Sequence, residues 1–185
     1  GKTTLAQKIA SDYKLSFLKE SFAENPYLEK FYNDPVAYSL LVEQFFLKDR
    51  IKQTNAFWNQ NKDNTVSDFN IQKSLIFARK NLNDIDFNVY KREFNKIYPN
   101  LKLPDLMLYL HNDIETLKGQ IKKRGRYFEQ NIKNEYLEQI ELGYNQFIKS
   151  DLPYPVISIY TKNLNFETNE ADYQALLRII FSASF

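Results

Sequence analysis

The chain opens on Gly1-Lys2-Thr3-Thr4, followed at once by apolar residues at helical spacing, Leu5, Ala6, Ile9 and Ala10. Together they read as the second half of a phosphate-binding loop, G-x-x-x-x-G-K-[ST], running into a helix. Backbone N–H groups at such a helix start favour phosphate oxygens, the lysine reaches the β- and γ-phosphates, and the hydroxyl after it can ligate Mg²⁺. Gly1, Lys2, Thr3 and Thr4 are therefore candidate ligands of a nucleotide, with Thr3 also a candidate for the metal. A tetrapeptide this short recurs by chance, so its weight depends on the rest of the chain. A loop of this kind leaves the middle strand of a sheet, and that strand and the first glycine are expected to precede Gly1 in the natural protein.

A length of 185 residues suits one domain, 1–185, with room for a small lid. Basic and acidic residues nearly balance, 25 against 23, so no general field draws nucleic acid or a membrane surface. The absence of cysteine excludes a disulfide framework and thiolate metal sites, and fits a reducing, cytoplasmic setting. No apolar run approaches the ~18 residues of a membrane-spanning helix.

Helical periodicity over 3–13 is followed by a short strand at 15–18 that ends at Lys19-Glu20. A carboxylate at the C-terminal end of a parallel strand faces the crevice where α/β proteins bind ligands. Asn25-Pro26 breaks the pattern, Phe31-Tyr32 lie on a helical stretch, and Asp34-Pro35 begins a long helix over 36–56. A polar loop at 62–64 enters a brief strand ending at Ser67-Asp68. Helices follow, one holding Leu75, Ile76, Ala78 and Leu82, another over 87–97. The run 106–110 reads as a strand buried on both faces. A helix over 114–123 leads into Arg124-Gly125-Arg126, a longer one reaches Lys149, a strand occupies 156–160 and a helix 170–181. Strands alternating with helices predict a parallel sheet covered on both sides.

These elements hold a candidate for each part of a phosphoryl transfer. Glu20 is placed to take the proton of an acceptor hydroxyl. Asp68, after a short apolar strand, is a metal-ligand candidate, or else the N-cap of the next helix. Arg124 and Arg126, beside Lys122 and Lys123, form either a lid that closes on the γ-phosphate or a solvated helix end favoured by the macrodipole. Tyr32, Phe77 and Trp58 read by default as packing, and His111 as a structural residue after its strand.

The order of these pieces resembles the deoxynucleoside kinase family over essentially the whole chain. Four segments carry the likeness: GKTTLA; Glu20 with Asn25-Pro26-Tyr27-Leu28 and Phe31-Tyr32; Ile76-Phe77-Ala78; and Lys122 to Arg126 with Glu129 and then Glu135-Tyr136-Leu137. The resemblance implies a P-loop kinase fold, a five-stranded parallel sheet flanked by helices, and an arginine-bearing lid at 120–132. It implies transfer of the γ-phosphate of ATP, with Mg²⁺, to a deoxynucleoside 5′-hydroxyl in nucleotide salvage, by a homodimer. Glu20 matches the family's general base, Tyr32 and Glu129 the pair on the sugar 3′-hydroxyl, and Phe77 the aromatic stacked on the base. Arg124 and Arg126 match the arginines on the transferring group, and Arg50 an arginine near the base edge. The likeness extends to two dimer-forming helices, for which 36–56 and 71–82 offer apolar faces.

Two departures stand out. Where the family has an acid followed by Arg-Ser or Arg-Thr, this chain has Ser67-Asp68-Phe69, so Lys73 or Lys19 is expected to supply the missing positive charge; a further lid arginine is Gln120 here. Seven residues before Arg50, where a base-reading glutamine belongs, stands Glu43, with Gln44 beside it. A carboxylate only accepts hydrogen bonds, and guanine offers it two adjacent donors, N1–H and N2–H₂, whereas adenine and cytosine offer one amine beside an acceptor. Glu43 therefore predicts a purine acceptor, deoxyguanosine. The competing readings are a nucleoside monophosphate kinase, which would need further arginines for its acceptor phosphate, and a nucleotide-binding module without turnover.

Overall fold

The computed structural model describes residues 1–21, 25–61 and 64–182; Lys62 and Asp63 of the polar loop lie outside the described residues. Helix α1 (Lys2–Asp12) forms where its periodicity places it and buries Leu5, Ala6, Ile9 and Ala10. It closes in a left-handed turn at Lys14, φ 54°. Leu15 N–H donates to the Ala10 carbonyl at 2.8 Å and Lys14 N–H to that of Ser11 at 3.4 Å, which satisfies the helix's last acceptors and sends the chain into a strand.

That strand, β1 (Ser16–Leu18), pairs in parallel with β2 (Thr65–Ser67), Phe17 opposite Val66. β3 (Met107–His111) pairs in parallel with β4 (Val156–Tyr160), from Met107 opposite Val156 to His111 opposite Tyr160. The strands are parallel, as the alternation of elements predicts, but among the described residues they form two separate two-stranded sheets rather than one. β3 runs one residue further along the chain than expected, taking in His111, and is half-buried throughout, because a strand with one partner keeps an open edge. His111 stacks on Tyr109 at 5.5 Å and leans on Tyr160 at 5.4 Å, in keeping with a packing role.

A short helix α2 (Leu28–Asn33) precedes α3 (Pro35–Gln60), where the Asp34 carboxylate accepts from Ala37 N–H at 3.2 Å and Pro35 fills the first turn. α3 overruns its expected end at 56 because nothing in 57–60 breaks it, so Trp58 lies within the helix, under the Lys102 ammonium at 3.9 Å. α4 (Lys73–Asn81) and α5 (Asp84–Ile97) follow. α5 starts three residues early because Asn83 caps it, accepting from Asp86 N–H at 2.9 Å. α6 (Ile114–Arg124) is capped by Asp113 and ends at Gly125, whose φ of 72° suits glycine. α7 (Asn134–Ile148) and α8 (Glu170–Ser182) complete the described helices.

Two apolar clusters organise these elements. One joins Leu5 and Ile9 of α1 to Ile159, Phe166 and the buried face of α8, with Val66 and Leu108 against it. The other joins Leu47 of α3, Ala78 of α4, Leu82 just after it, and Tyr90 and Phe94 of α5. α4 is packed by α3, α5 and α7 and buries Ser74, Ile76 and Ala78. No helix among the described residues is long and apolar enough to cross a membrane.

Candidate active site

The C-terminal ends of β1 and β2 bring Glu20 and Asp68 together: the Glu20 backbone N–H donates to Asp68 Oδ1 at 2.7 Å. The Glu20 carboxylate is clasped by two cations from different helices. Arg50 Nε of α3 donates to Oε1 at 2.8 Å, and Lys73 Nζ of α4 donates to Oε1 at 3.0 Å and Oε2 at 2.8 Å. Burial pushes the Glu20 carboxyl up, but Lys73 and Arg50 outweigh it and hold the group at about 2. Burial, with Arg50 alongside, brings Lys73 down to about 8 against the pull of Glu20. Of the two lysines expected to replace the missing arginine, Lys73 pairs with Glu20, while Lys19 is exposed. Arg50, expected near a base edge, lies on Glu20 and donates from NH1 to Ser74 Oγ at 2.8 Å.

On the phosphate side, Thr3 Oγ1 donates to Asp68 Oδ2 at 2.6 Å. Asp68 is not the cap of the next helix, since α4 begins at Lys73. Lys2 faces the same place. Though the residue is exposed overall, desolvation of its ammonium lowers its pKa, helped by Arg124 and opposed by Glu20 and Asp68. Gly1 precedes α1 with no side chain capping the helix, which leaves its first N–H groups for a ligand. Thr4 lines a groove with Gln7 and Glu167 instead of joining the Asp68 contact. Among the described residues no three His, Asp or Glu side chains cluster around a metal position. A hydroxyl and one carboxylate are nonetheless the hard oxygen donors that suit Mg²⁺, which keeps its waters and takes further oxygens from phosphates.

Away from Glu20 along α3, Glu43 is 2% exposed, and its Oε1 accepts from Asn81 Nδ2 at 2.7 Å. Burial pushes its carboxyl up to about 7, against the Asn81 hydrogen bond and the charges of Arg50 and Lys73. Gln44, about 100° further round the helix, makes none of these contacts. Phe77 stands beside Lys73, whose ammonium is 5.6 Å from its ring centre.

The lid residues fold onto the sugar-reading candidates. Glu129, whose side chain is 8% exposed, pairs with Arg124 NH2 and, at 3.2 Å, with Arg126 NH1. Tyr32 stacks on Phe128 at 5.7 Å. Burial and then the Glu129 charge push its hydroxyl up to about 12, with Arg124 and Arg126 opposing, so Tyr32 and Glu129 share one electrostatic neighbourhood. Sequence reasoning missed Asn81 and Ser74, which carry no motif but hold Glu43 and Arg50.

Comparison with known proteins finds one family over nearly the whole chain. The sequence pattern of the family described as Deoxynucleoside kinase matches residues 1–183. A deoxyguanosine kinase of Bacillus subtilis (strain 168) is 31% identical over 183 residues, 95% of this chain and 88% of the relative. A deoxyadenosine/deoxycytidine kinase of the same organism is 26% identical over 190 residues, covering 98% and 87%. Among solved structures, deoxyadenosine kinase from M. mycoides with bound dCTP superposes with a TM-score of 0.83 at 26% identity, over 98% of this chain and 94% of that one. The motifs, the helix-rich P-loop-kinase-like α/β fold and the relatives agree: the chain belongs to the deoxynucleoside kinase family and is a kinase enzyme.

Proposed function

We propose that the protein is a deoxyguanosine-preferring kinase of nucleotide salvage that transfers the γ-phosphate of ATP, with Mg²⁺, to the deoxyribose 5′-hydroxyl. The relatives are named for different bases, so the base preference rests on Glu43: a carboxylate buried in the helical layer and held by Asn81 presents, when ionised, acceptors alone, which match the paired N1–H and N2–H₂ donors of guanine. Phe77 stacks on the base, and Tyr32 and Glu129 take the sugar 3′-hydroxyl.

Glu20 accepts a hydrogen bond from the 5′-hydroxyl. As that oxygen bonds to the γ-phosphorus, the bond from phosphorus to the β,γ-bridging oxygen breaks and the hydroxyl proton passes to Glu20, leaving a nucleoside monophosphate and ADP. A carboxylate held at about 2 is a weak base, and it suits this transfer because a loose transition state demands positioning more than early proton removal. Lys2 and the first N–H groups of α1 hold the donor phosphates, and Arg124 and Arg126 turn onto the transferring group. Thr3 and Asp68 would hold Mg²⁺, which when bound neutralises phosphate charge.

This reading comprises one kinase domain over 1–185 with a lid at 120–132, a five-stranded sheet in which one further strand accompanies the four described, and a cytoplasmic homodimer using outward residues of α3 such as Val36 and Leu41. It involves neither nucleic acid nor membrane. The deciding experiment supplies the full-length protein with ATP, Mg²⁺ and dG, dA, dC or dT, with dGMP as a control acceptor. Preferential turnover of dG supports the reading. A preference for another nucleoside removes the role of Glu43, and turnover of dGMP alone replaces the reading with a monophosphate kinase.

A further inference from the structure

The Glu20 site holds more positive charge than one carboxylate needs. Arg50 alone would pair with Glu20, since its Nε sits 2.8 Å from Oε1. Lys73 adds a second cation, and it does so at a costly place. It is the first residue of α4, where the helix macrodipole disfavours a cation, and its side chain is 15% exposed, where desolvation disfavours any charge. Packing gives no reason for an ammonium here, because well-packed apolar side chains often replace a buried ion pair without loss of stability. What distinguishes Lys73 is geometry. Arg50 Nε touches one oxygen of Glu20, about which the carboxylate could still turn, whereas Lys73 Nζ bridges both, at 3.0 and 2.8 Å. Two contacts from a second direction fix the plane of the group.

We propose that Lys73 is the positioning residue for Glu20: by bridging both carboxylate oxygens from the first turn of α4 it fixes the orientation in which Glu20 receives the 5′-hydroxyl. The proposal rests on the reading of Glu20 as the group that takes the hydroxyl proton. Acting through its contacts to Glu20, Lys73 is expected to change turnover and not affinity.

Four variants of the full-length protein test this against wild type: Lys73→Met, Lys73→Arg, Glu20→Gln and the double variant Glu20→Gln/Lys73→Met. Lys73→Met is expected to lower kcat about 10- to 100-fold while KM for nucleoside and for ATP changes less than about threefold. Lys73→Arg, which can also reach both oxygens, is expected to keep kcat within about fivefold. In the Glu20→Gln background Lys73→Met is expected to remove nothing further, because residues that act as one unit are not additive. A full additional loss in the double variant, an equal deficit in Lys73→Arg, or a loss that appears in KM alone overturns the proposal.

Should Lys73→Met fail to fold, Lys73→Cys replaces it, since the chain has no cysteine of its own. Alkylating the unfolded variant with bromoethylamine rebuilds an ammonium of lysine length, whereas iodoacetamide installs a neutral amide. Recovery of turnover after refolding with the first reagent alone supports the proposal. Equal recovery with both, or with neither while refolded wild type recovers, overturns it. A wild-type protein that phosphorylates no nucleoside sinks the underlying reading, an outcome distinct from all of these.

Discussion

Asn81 Nδ2 donates to Oε1 of Glu43 at 2.7 Å, tying the last residue of α4 to a carboxylate buried on α3. The groups facing Glu43 are Arg50 on its own helix, Lys73 and Asn81 on α4 and Tyr90 on α5, whose hydroxyl donates to the Glu43 carbonyl at 3.4 Å. Burial outweighs them and leaves the carboxyl titrating at about 7. Above that pH, Glu43 is an acceptor pair suited to guanine; below it, the group carries one donor and one acceptor, the pattern that adenine matches. Between pH 8 and pH 6 the ionised fraction falls about tenfold while the protonated fraction rises about tenfold, so kcat/KM for dG is expected to fall relative to that for dA by up to about 100-fold. Glu43→Gln should favour dA at both pH values. The check is the dG:dA ratio of kcat/KM at each pH; a ratio in wild type that does not move removes Glu43 from base selection.

The same titration bears on stability. A carboxyl whose folded value lies at about 7, above its ordinary 4.5, favours the folded state fully below pH 4.5 and loses that contribution as the pH rises through 7. Glu43→Gln has no such group. Its melting temperature relative to wild type is expected to be higher at pH 8 than at pH 5, measured by thermal unfolding at both.

Glu20 shifts the other way. Held at about 2, below 4.5, it stabilises the fold above pH 4.5 and loses that contribution only as the pH falls toward 2, so Glu20 stays ionised at pH 5. Glu20→Gln is expected to lower kcat by about 10²- to 10⁴-fold. It also leaves Arg50 and Lys73 buried without their counter-charge, at a cost of about 3–5 kcal/mol. Urea unfolding separates the two effects: adding Lys73→Met to Glu20→Gln should restore part of the stability and none of the turnover.

Asp68 sits between the two halves of the chemistry, accepting from Thr3 Oγ1 and from the Glu20 backbone. Asp68→Asn is expected to raise the Mg²⁺ concentration for half-maximal turnover at least about tenfold, with deoxynucleoside affinity nearly unchanged. Rate against Mg²⁺ and calorimetric titration with nucleoside report the two quantities. Loss of nucleoside affinity at unchanged Mg²⁺ response would assign Asp68 to the acceptor side instead.

How far the sequence could be read depended on whether the signal was local. The buried set of α1 followed from 3.6-residue periodicity, and β4 occupies the 156–160 read from the sequence. The start of α5 was missed because one capping residue, Asn83, outweighed the apolar pattern. The strand-end place of Glu20 was legible locally, whereas Glu43 was singled out only through the family resemblance. The choice between Lys19 and Lys73 was not legible, since it depends on where α4 brings its first residue, 53 positions after Glu20. Nor was the grip of Arg124 and Arg126 on Glu129, because nothing in the composition of a lid says which carboxylate it meets.

That dependence on α4 gives the last prediction. A Cβ added at Gly143, inside α7, would lie 2.8 Å from Cγ2 of Ile76, a buried residue of α4. Helix propensity alone makes Gly143→Ala stabilising by about 1 kcal/mol. The contact is closer than side-chain atoms tolerate, however, and overpacking a core costs about 1–3 kcal/mol, so packing wins and the variant is expected to be destabilised. Ile76→Leu removes the branch that meets the new methyl, and in that background Gly143→Ala should turn stabilising, a change of sign that chemical denaturation can read. Because α4 carries Lys73 as well as Ile76, displacing it should also loosen the bridge to Glu20. Gly143→Ala alone is therefore expected to lower kcat although residue 143 touches no reacting group, and Ile76→Leu should restore it; an unchanged kcat in a destabilised Gly143→Ala would mean that α4 yields locally without moving Lys73.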